Sequence, residues 1–294
     1  MNIARSGEEL INICREENIS LSEYAIRMEE EKSNVSREII IGKMRENLKV
    51  MIDSVTEGMT KEVYSVTGLI GGDGYRVNEY LKKGDTLTGS TTVMAMAMAL
   101  ACSEVNASMG KIVACPTAGS CGILPAVILA AGGKLGKSED EMIEGLFAAA
   151  AIGTIIGMNA TLAGAEGGCQ AECGSAAAMG AGAAVFMMGG TPKMSLDAGA
   201  IVIKNILGLV CDPVAGLVEI PCAKRNASGA ISALCTADII MAGVESKIPF
   251  DDTISAMYKV GREMPASLRE TALGGVAITK TGLELRKKVF GDEK

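Results

Sequence analysis

Apolar residues recur at helical spacing along the first part of the chain, residues 1–62, which is otherwise densely charged. Ser6 and Ser20 are each followed three positions later by a glutamate, as in the capping box that begins a helix. A third helix is predicted from about Ser36 to Met59, because its apolar side chains form one broad stripe. The pattern therefore predicts two or three amphipathic helices that form a support layer against a core elsewhere in the chain.

Glycine interrupts the hydrophobic pattern in the next stretch. Six glycines lie between Thr67 and Thr92, and this spacing predicts turns instead of a long element. They do not match the Gly-x-Gly-x-x-Gly loop that holds phosphate groups. Strand-like alternation is nearly missing from the chain, and residues 111–117 are the best candidate for a short strand.

Charged residues almost disappear from the middle of the chain. Between Thr86 and Pro192 only ten residues are charged, and the runs 146–165 and 173–192 contain none. Each run is about long enough to cross a bilayer, which takes roughly 20 apolar residues. Because the runs consist mostly of Ala and Gly and lack aromatic belts or basic flanks, they predict closely packed buried helices and no membrane span.

The C-terminal part also has helical patterns, in residues 227–246, 251–264 and 267–273. The tail, residues 281–294, is predicted to be a solvated end. With strands nearly missing, the expected fold class is all-α, with buried Gly/Ala-rich helices at the centre.

Composition narrows the classes of protein that this chain can be. Hydrophobic residues make up 48% of it, enough for a sizeable core in one large domain or two modest ones. The net charge of -7 and an aromatic content of 3% argue against a nucleic-acid-binding surface. The charged N-terminal segment has no signal-peptide pattern, so nine cysteines indicate thiols or metal ligands in a reducing cytoplasm.

Histidine does not occur in the chain. An enzyme that transfers protons near neutral pH most often uses His as its acid or base. Any base must therefore be Lys, Glu, Asp, Tyr or Cys, or it must come from a partner chain.

Three cysteines, Cys169, Cys211 and Cys222, each lie at the edge of an apolar segment beside a residue that breaks the local pattern. Thiolates are soft ligands that favour zinc, copper(I) and iron-sulfur clusters. The three are not spaced as the close pairs of a zinc ribbon or bacterial ferredoxin, and burial as small hydrophobes explains them nearly as well.

The other six cysteines are ambiguous in different ways. Cys115 and Cys121 flank a polar loop and are candidates to line a site. Cys173 lies four positions after Cys169 and would share its helix face, so the two could bind one metal together. The remaining three lie in apolar helical settings and are predicted to pack in the core: Cys14, Cys102 and Cys235.

Four blocks of sequence carry a resemblance to a known family. They are Asn106–Val127, Gly164–Glu172, Leu207–Cys222 and the Lys-Arg-Asn at 224–226. In these blocks, and over essentially its whole length, the chain resembles the alpha chain of the two-subunit, iron-sulfur-dependent bacterial L-serine dehydratase.

The resemblance implies an L-serine ammonia-lyase that converts L-serine to pyruvate and ammonia. It implies that Cys169, Cys211 and Cys222 hold a [4Fe-4S] cluster, with one iron left open for the substrate hydroxyl. The cluster-binding helical domain would then be residues 63–294, with residues 1–62 as its support layer, or the two would form one continuous domain. The implied partner is the beta chain, whose homologous domain in single-chain relatives contains a histidine motif that is missing here.

Three polar loops are candidates to contact an amino-acid substrate: residues 88–92, 106–111 and 116–122. Backbone N–H groups and hydroxyls near helix starts hold a carboxylate well. The side chains in these loops that we expect to bind substrate are Asn106, Ser108, Thr117 and Ser120. Ordinary helix caps and turns use the same residue types. Lys111 is a candidate charge partner or base, and Lys224 and Arg225 either neutralise the cluster or are solvated.

Two other functions stay open. A related iron-sulfur L-cysteine desulfidase would eliminate sulfide instead of water. A non-catalytic iron-sulfur redox protein is the other, although electron carriers usually ligate all four irons with protein. The base would come either from Lys111 or from the beta chain, docked against the loops between Thr67 and Thr92.

Overall fold

Thirteen α-helices build the described part of the chain, residues 3–291 of a computed structural model, and this part contains two isolated bridges but no β-strand. In chain order the helices are α1 (Gly7–Glu16), α2 (Leu21–Ser33), α3 (Arg37–Thr60), α4 (Asp73–Leu81), α5 (Ser90–Ala107), α6 (Ile123–Leu135), α7 (Glu139–Asn159), α8 (Gly164–Gly167), α9 (Cys169–Met187), α10 (Pro192–Asn205), α11 (Cys222–Met241), α12 (Phe250–Glu263) and α13 (Lys280–Phe290). The fold is all-α, which confirms the predicted fold class.

Helix α9 lies at the centre of the fold. Every residue of α9 is buried except Phe186, which is half-buried, and the helix packs against α6, α7, α10 and α11. A Cβ at Gly182 would overlap the Ile152 side chain and lie 3.0 Å from the Ser195 carbonyl oxygen. Glycine at this position therefore allows α7 and α10 to approach α9 closely, as expected for Gly/Ala-rich central helices.

The first three helices begin where the sequence predicts, and the first two have the expected caps. The Ser6 hydroxyl accepts a hydrogen bond from the backbone N–H of Glu9, and the Ser20 hydroxyl accepts one from Glu23, each at 3.1 Å. Helix α3 follows Ser36 and ends one residue beyond the predicted limit. Helix α2 packs against α7, and α3 packs against α5. The amphipathic helices of the N-terminal part are confirmed.

The glycine-rich stretch contains a nine-residue helix, α4, where the sequence predicted turns. The carboxylate of Glu104, fully buried on α5, accepts hydrogen bonds from the backbone N–H groups of Asp73 and Gly74, at 2.6 and 3.2 Å. A helix start leaves such N–H groups without partners inside the helix, so an acceptor there stabilises it. The acceptor comes from a different helix, and local sequence patterns therefore do not show it.

The predicted strand is wrong. Residues 111–117 form irregular chain, and no neighbouring segment of the described chain pairs with them. A strand needs a partner for its backbone groups, and Pro116 has no N–H to offer a ladder.

The prediction for the C-terminal part is partly wrong. Residues 267–273 form no α-helix; a single 3-10 turn at Ala266–Leu268 is followed by irregular chain. Glu270 and Ala272 have φ angles of 63° and 56°, in the left-handed region, which a right-handed helix cannot include. The predicted solvated tail is mostly exposed, although it forms α13, and residues 292–294 lie outside the described residues.

Two segments of the described chain are long and apolar enough to cross a membrane by length and composition alone. They are Ala118–Leu135 and Glu139–Asn159, and 72% and 61% of their apolar windows are buried inside the protein. Core helices have the same composition, so this burial against neighbouring helices accounts for their apolar character.

Candidate functional site

Two cysteines and a glutamate converge at the beginning of α9. The ligand atoms of Cys169, Glu172 and Cys211 all lie within 4.8 Å of one another. Cys169 and Glu172 are three positions apart on α9 and therefore share a helix face. Gly168, with φ +73°, sets where α9 begins; a Cβ there would lie 2.8 Å from the Leu209 carbonyl oxygen. This close approach brings the chain before Cys211 to the start of α9.

Cys211 is held by the C-terminal irregular segment. Its N–H donates to the Leu268 carbonyl at 2.8 Å, and its carbonyl accepts from the Glu270 N–H at 2.7 Å. These two bonds form an isolated parallel bridge between Cys211 and Arg269. The segment that was predicted to be helical therefore fixes the backbone of a candidate ligand.

Cys222 and Cys173 complete the buried thiols of this region. Cys222 begins α11 and is 6% exposed, and Cys173 is 3% exposed and lies one turn along α9 from Cys169. Neither belongs to the group whose atoms all lie within 4.8 Å. Of the three predicted metal ligands, the structure thus brings Cys169 and Cys211 directly together and places Cys222 beside them without that contact.

A half-buried cation lies against the thiols. Arg225 on α11 donates from Nη1 to the Cys169 sulfur at 3.4 Å and to the Val210 carbonyl at 2.8 Å, and from Nη2 to the Asp212 carboxylate at 2.8 Å. Asp212 is only 3% exposed in its side chain. Of the two basic residues that the sequence offered near Cys222, Arg225 is the one that contacts the site, whereas Lys224 pairs with Asp73 at the surface.

The three proposed cysteine ligands differ in the pKa of their thiol groups. Hydrogen bonds from the Cys173 and Cys211 thiols, together with the Arg225 cation, lower the pKa of Cys169 to about 3. The hydrogen bond to Cys169, burial and the Cys169 charge raise the pKa of Cys211. Burial, followed by the Cys169 charge, raises the pKa of Cys222 to about 12. The site therefore stabilises one thiolate next to neutral thiols.

The loop at residues 116–122 cradles Glu172. Thr117 donates from its hydroxyl to the Glu172 carboxylate, and the Thr117 and Ser120 oxygens lie 3.1 Å apart. A Cβ at Gly119 would overlap the same carboxylate. Burial raises the pKa of Glu172 to about 7, although the bonds from Thr117 and Gly119 oppose this shift. Two predicted substrate residues, Thr117 and Ser120, thus lie at the Cys–Glu–Cys group.

Asparagines fasten this loop to its neighbours. Asn226, buried on α11, donates to the Gly119 carbonyl at 2.7 Å and accepts from the Gly122 N–H at 2.8 Å. Asn106, at the end of α5, donates to the Ala118 carbonyl at 3.2 Å. The loop is consequently fixed from two sides while its hydroxyls face Glu172.

The remaining predicted residues lie elsewhere. Ser108 donates to the Val105 carbonyl of its own helix at 2.9 Å, the behaviour of a helix cap. Lys111 is exposed on the irregular segment after α5, whereas the cation that contacts Cys169 is Arg225.

The other cysteines follow the packing prediction with one exception. Cys14 and Cys102 are buried as expected, but Cys235 is exposed, so its predicted burial is wrong. Cys115 and Cys121 are also buried, and the Cys115 thiol donates to the Val113 carbonyl at 3.3 Å.

Sequence reasoning gave no role to three carboxylates of this region. Glu172 was open to detection, because a residue three positions after Cys169 on a helix must face the same way. Asp212 follows Cys211 directly but shows its role only through Arg225. Glu270 has no local signal, because it reaches the site through a bridge between distant segments.

The donor set fits a metal group. Thiolates are the preferred ligands of soft metal centres and iron-sulfur clusters, and a carboxylate adds a harder oxygen donor. The neighbouring guanidinium offsets negative charge that thiolates and a cluster would accumulate. The Cys–Glu–Cys group is therefore able to hold a metal.

Comparison with known proteins points to one family. The family model described as serine dehydratase alpha chain matches residues 16–277. The chain is 50% identical over 287 residues to the probable L-serine dehydratase alpha chain of Bacillus subtilis, covering 98% of this chain and 95% of that protein. It is 47% identical over 287 residues to the L-serine dehydratase alpha chain of Peptoniphilus asaccharolyticus, covering 98% and 97%.

A longer relative matches over the same region. The L-serine dehydratase TdcG of Escherichia coli is 35% identical over 285 residues, which cover 93% of this chain but 61% of that protein. The matched region, the identity to the shorter relatives and the all-α site built from the four sequence blocks agree with one another. This chain belongs to the serine dehydratase alpha chain family.

Proposed function

We propose that this chain is the alpha chain of an L-serine dehydratase, a cytoplasmic lyase that converts L-serine to pyruvate and ammonia. The observation that carries the proposal is the meeting of Cys169 and Cys211 beside Glu172, with the Arg225 cation against the Cys169 sulfur. Residues 63–294 would form the catalytic part, supported by the helices of residues 1–62.

Cys169, Cys211 and Cys222 would hold the [4Fe-4S] cluster. All three are buried, and Cys222 lies close enough for the Cys169 charge to raise its pKa. A bound cluster would supply an electrophile that favours departure of the poor leaving group hydroxide. Arg225 would offset the negative charge of the thiolates, and its pairing with Asp212 keeps the guanidinium in place.

The loop hydroxyls would orient the substrate. Thr117 and Ser120 lie together at the Glu172 carboxylate, and backbone N–H groups of such a loop suit a substrate carboxylate. Asn106 would act through the loop that it fastens, and Ser108 through the end of its helix. These residues would hold L-serine while its α proton and hydroxyl leave.

The base is proposed to come from the beta chain. The chain has no histidine, and Lys111 is exposed away from the contacts that surround Cys169. Relatives named as alpha chains, and the longer E. coli protein, support a second component.

An exposed apolar surface supports a docking position for the beta chain at the glycine-rich loops. Val66 and Met109 are 73% and 84% exposed, and the Val66 N–H donates to the Ala107 carbonyl at 3.0 Å, which places Val66 at the end of α5. Thr67 in the same loop donates to the buried Glu219 carboxylate, three residues before Cys222. A partner seated there would lie next to the segment that carries a proposed ligand.

The test is an assay of pyruvate formed from L-serine by anaerobically prepared, cluster-loaded protein, with and without the beta chain. We expect turnover only with both chains. Full turnover by the alpha chain alone would reject the shared active site and favour Lys111 as base. Sulfide release from L-cysteine with no action on L-serine would identify a desulfidase, and no turnover of either amino acid by the complex would leave a redox protein.

A further inference from the structure

A second carboxylate reaches the Cys–Glu–Cys group from the C-terminal irregular segment. A Cβ placed on Gly164 would lie 3.1 Å from the Cys211 sulfur, 3.3 Å from Glu172 Oε2 and 3.4 Å from Glu270 Oε2. These three atoms therefore converge on the small space beside Gly164, where an added side chain would be too tight. Glu270 is exposed whereas Glu172 is buried, so Glu270 lies on the solvent side of this group.

The backbone holds Glu270 at this position. Its N–H donates to the Cys211 carbonyl at 2.7 Å, and its φ of 63° is uncommon for a residue with a side chain. The same pairing fixes Leu268 against the Cys211 N–H. The backbone of Cys211, a proposed cluster ligand, thus fixes the position of Glu270 beside the site.

The charges around this space are unbalanced. Among the described residues, neither Glu172 nor Glu270 forms an ion pair. The Arg225 cation is directed to Cys169 and to Asp212 instead. The space therefore favours a ligand group that is positively charged.

L-serine has one such group, its α-ammonium. We infer that Glu270, together with Glu172, receives the α-ammonium group of the substrate and so selects amino acids over hydroxy acids. This assignment rests on the proposed function, and it gives Glu270 a binding role that is independent of proton removal. The substrate carboxylate remains for the loop at residues 116–122, on the other side of Glu172.

The test compares L-serine with L-glycerate, in which a hydroxyl replaces the ammonium. Dissociation constants are measured by anaerobic calorimetry on the cluster-loaded complex, and KM and kcat are measured for L-serine. The variants are Glu270→Gln, which removes the charge at the same size, Glu270→Asp, which keeps it, and Glu263→Gln as a control on the exposed end of α12. Iron content is measured in each.

We expect Glu270→Gln to weaken L-serine binding and raise its KM about fivefold to tenfold, the scale of a partly exposed charged hydrogen bond. L-glycerate binding, kcat and iron content should change less than about twofold, because only uniform binding of the ammonium is lost. Glu270→Asp should recover part of the loss, and Glu263→Gln should match the wild type.

Equal weakening of both ligands, or lost iron, would show a structural role and overturn the assignment. An unchanged preference for L-serine in Glu270→Gln would overturn it as well. In both cases the wild-type complex still turns over L-serine, so the proposed function stands. A wild-type complex that neither binds nor converts L-serine would overturn the proposed function and this assignment together.

Discussion

The Arg225 guanidinium lies 3.4 Å from the Cys169 sulfur, and its other nitrogen pairs with Asp212 at 2.8 Å. Asp212 in turn accepts a hydrogen bond from the Val276 N–H at 2.7 Å. A single chain of charged and hydrogen-bonded groups therefore joins the first residue of α9, helix α11 and the 3-10 helix Gly275–Ile278. Its members are buried or nearly so, which makes the connection sensitive to the loss of either charge.

Replacing Arg225 with Met should destabilise the protein by about 3 kcal/mol, because Asp212 would remain buried without its partner. The double variant Arg225→Met/Asp212→Asn should recover part of this loss. Both should retain less iron than the wild type. Urea unfolding and iron content measure the two effects.

The neighbouring Lys224 gives a matched control. It is exposed and pairs with Asp73 at the surface, so Lys224→Met should cost less than about 1 kcal/mol. Equal losses for Lys224→Met and Arg225→Met would contradict the importance of burial in this connection.

Replacement of each proposed ligand should release the cluster. Cys169→Ser, Cys211→Ser and Cys222→Ser are expected to lose most of their iron during anaerobic purification, because two thiolates retain a cluster poorly. Cys173→Ser should keep it, and Cys235→Ser, at an exposed position, serves as the control. Iron and sulfide per chain are the measurements.

The same experiment decides whether Cys222 or Cys173 is the third ligand beside Cys169 and Cys211. If Cys173→Ser loses its iron while Cys222→Ser keeps it, then the ligand set consists of Cys169, Cys173 and Cys211. That result would replace the assignment of Cys222.

Two glycines of α3 should respond in opposite ways to alanine. A Cβ at Gly58 would lie 2.7 Å from Cα of Ala101 on α5, and backbone cannot move aside easily, so Gly58→Ala should destabilise by about 1–3 kcal/mol. Gly42 is exposed with no atom within 4 Å of an added Cβ, so Gly42→Ala should stabilise by about 0.5–1 kcal/mol. Thermal unfolding of both variants tests the packing of α3 on α5, and a neutral Gly58→Ala would contradict it.

The stability of the protein should depend on the ionisation of Glu104. Burial raises the pKa of this carboxyl from 4.5 to about 7, although the N–H groups of Asp73 and Gly74 oppose the shift. Because the folded state binds the proton more tightly than the unfolded state, the contribution of Glu104 is complete below pH 4.5 and is lost as the pH rises through 7. The loss is at most about 1.4 kcal/mol for each pH unit.

The variant Glu104→Gln should therefore show a flatter dependence of unfolding free energy on pH between 5 and 7 than the wild type. Glu172, whose pKa is also raised to about 7, contributes the same sign and should leave a smaller residual slope. Urea unfolding at several pH values measures the slopes. Identical slopes for the two proteins would mean that Glu104 does not titrate in this range.

Local features of the sequence determined most of the helices. Ser6, Ser20 and Ser138 begin helices because a side-chain oxygen can satisfy an N–H group three residues away, an interaction within a few positions of chain. The buried centre could be predicted equally well, because a long uncharged stretch of Ala and Gly without aromatic belts favours helices that pack closely inside a protein.

Features that depend on residues distant in sequence could not be predicted from local patterns. Helix α4 begins where Glu104 of another helix supplies an acceptor, and Glu270 reaches the site because its backbone pairs with Cys211. Cys235 was placed wrongly because apolar residues such as Leu234 and Ala237 lie on both sides of it, and only the packing of α11 decides which face is covered.

The sequence by itself thus determined the all-α fold, the starts of the capped helices and the blocks that carry the candidate ligands. Only the tertiary structure decided that Cys169 and Cys211 meet Glu172. It also decided that Arg225 rather than Lys224 contacts the thiols, and that Glu270 lies beside the Cys–Glu–Cys group. The physical reason is distance along the chain. Propensity and capping act over a few residues, whereas a site is assembled by packing between segments that no local pattern connects.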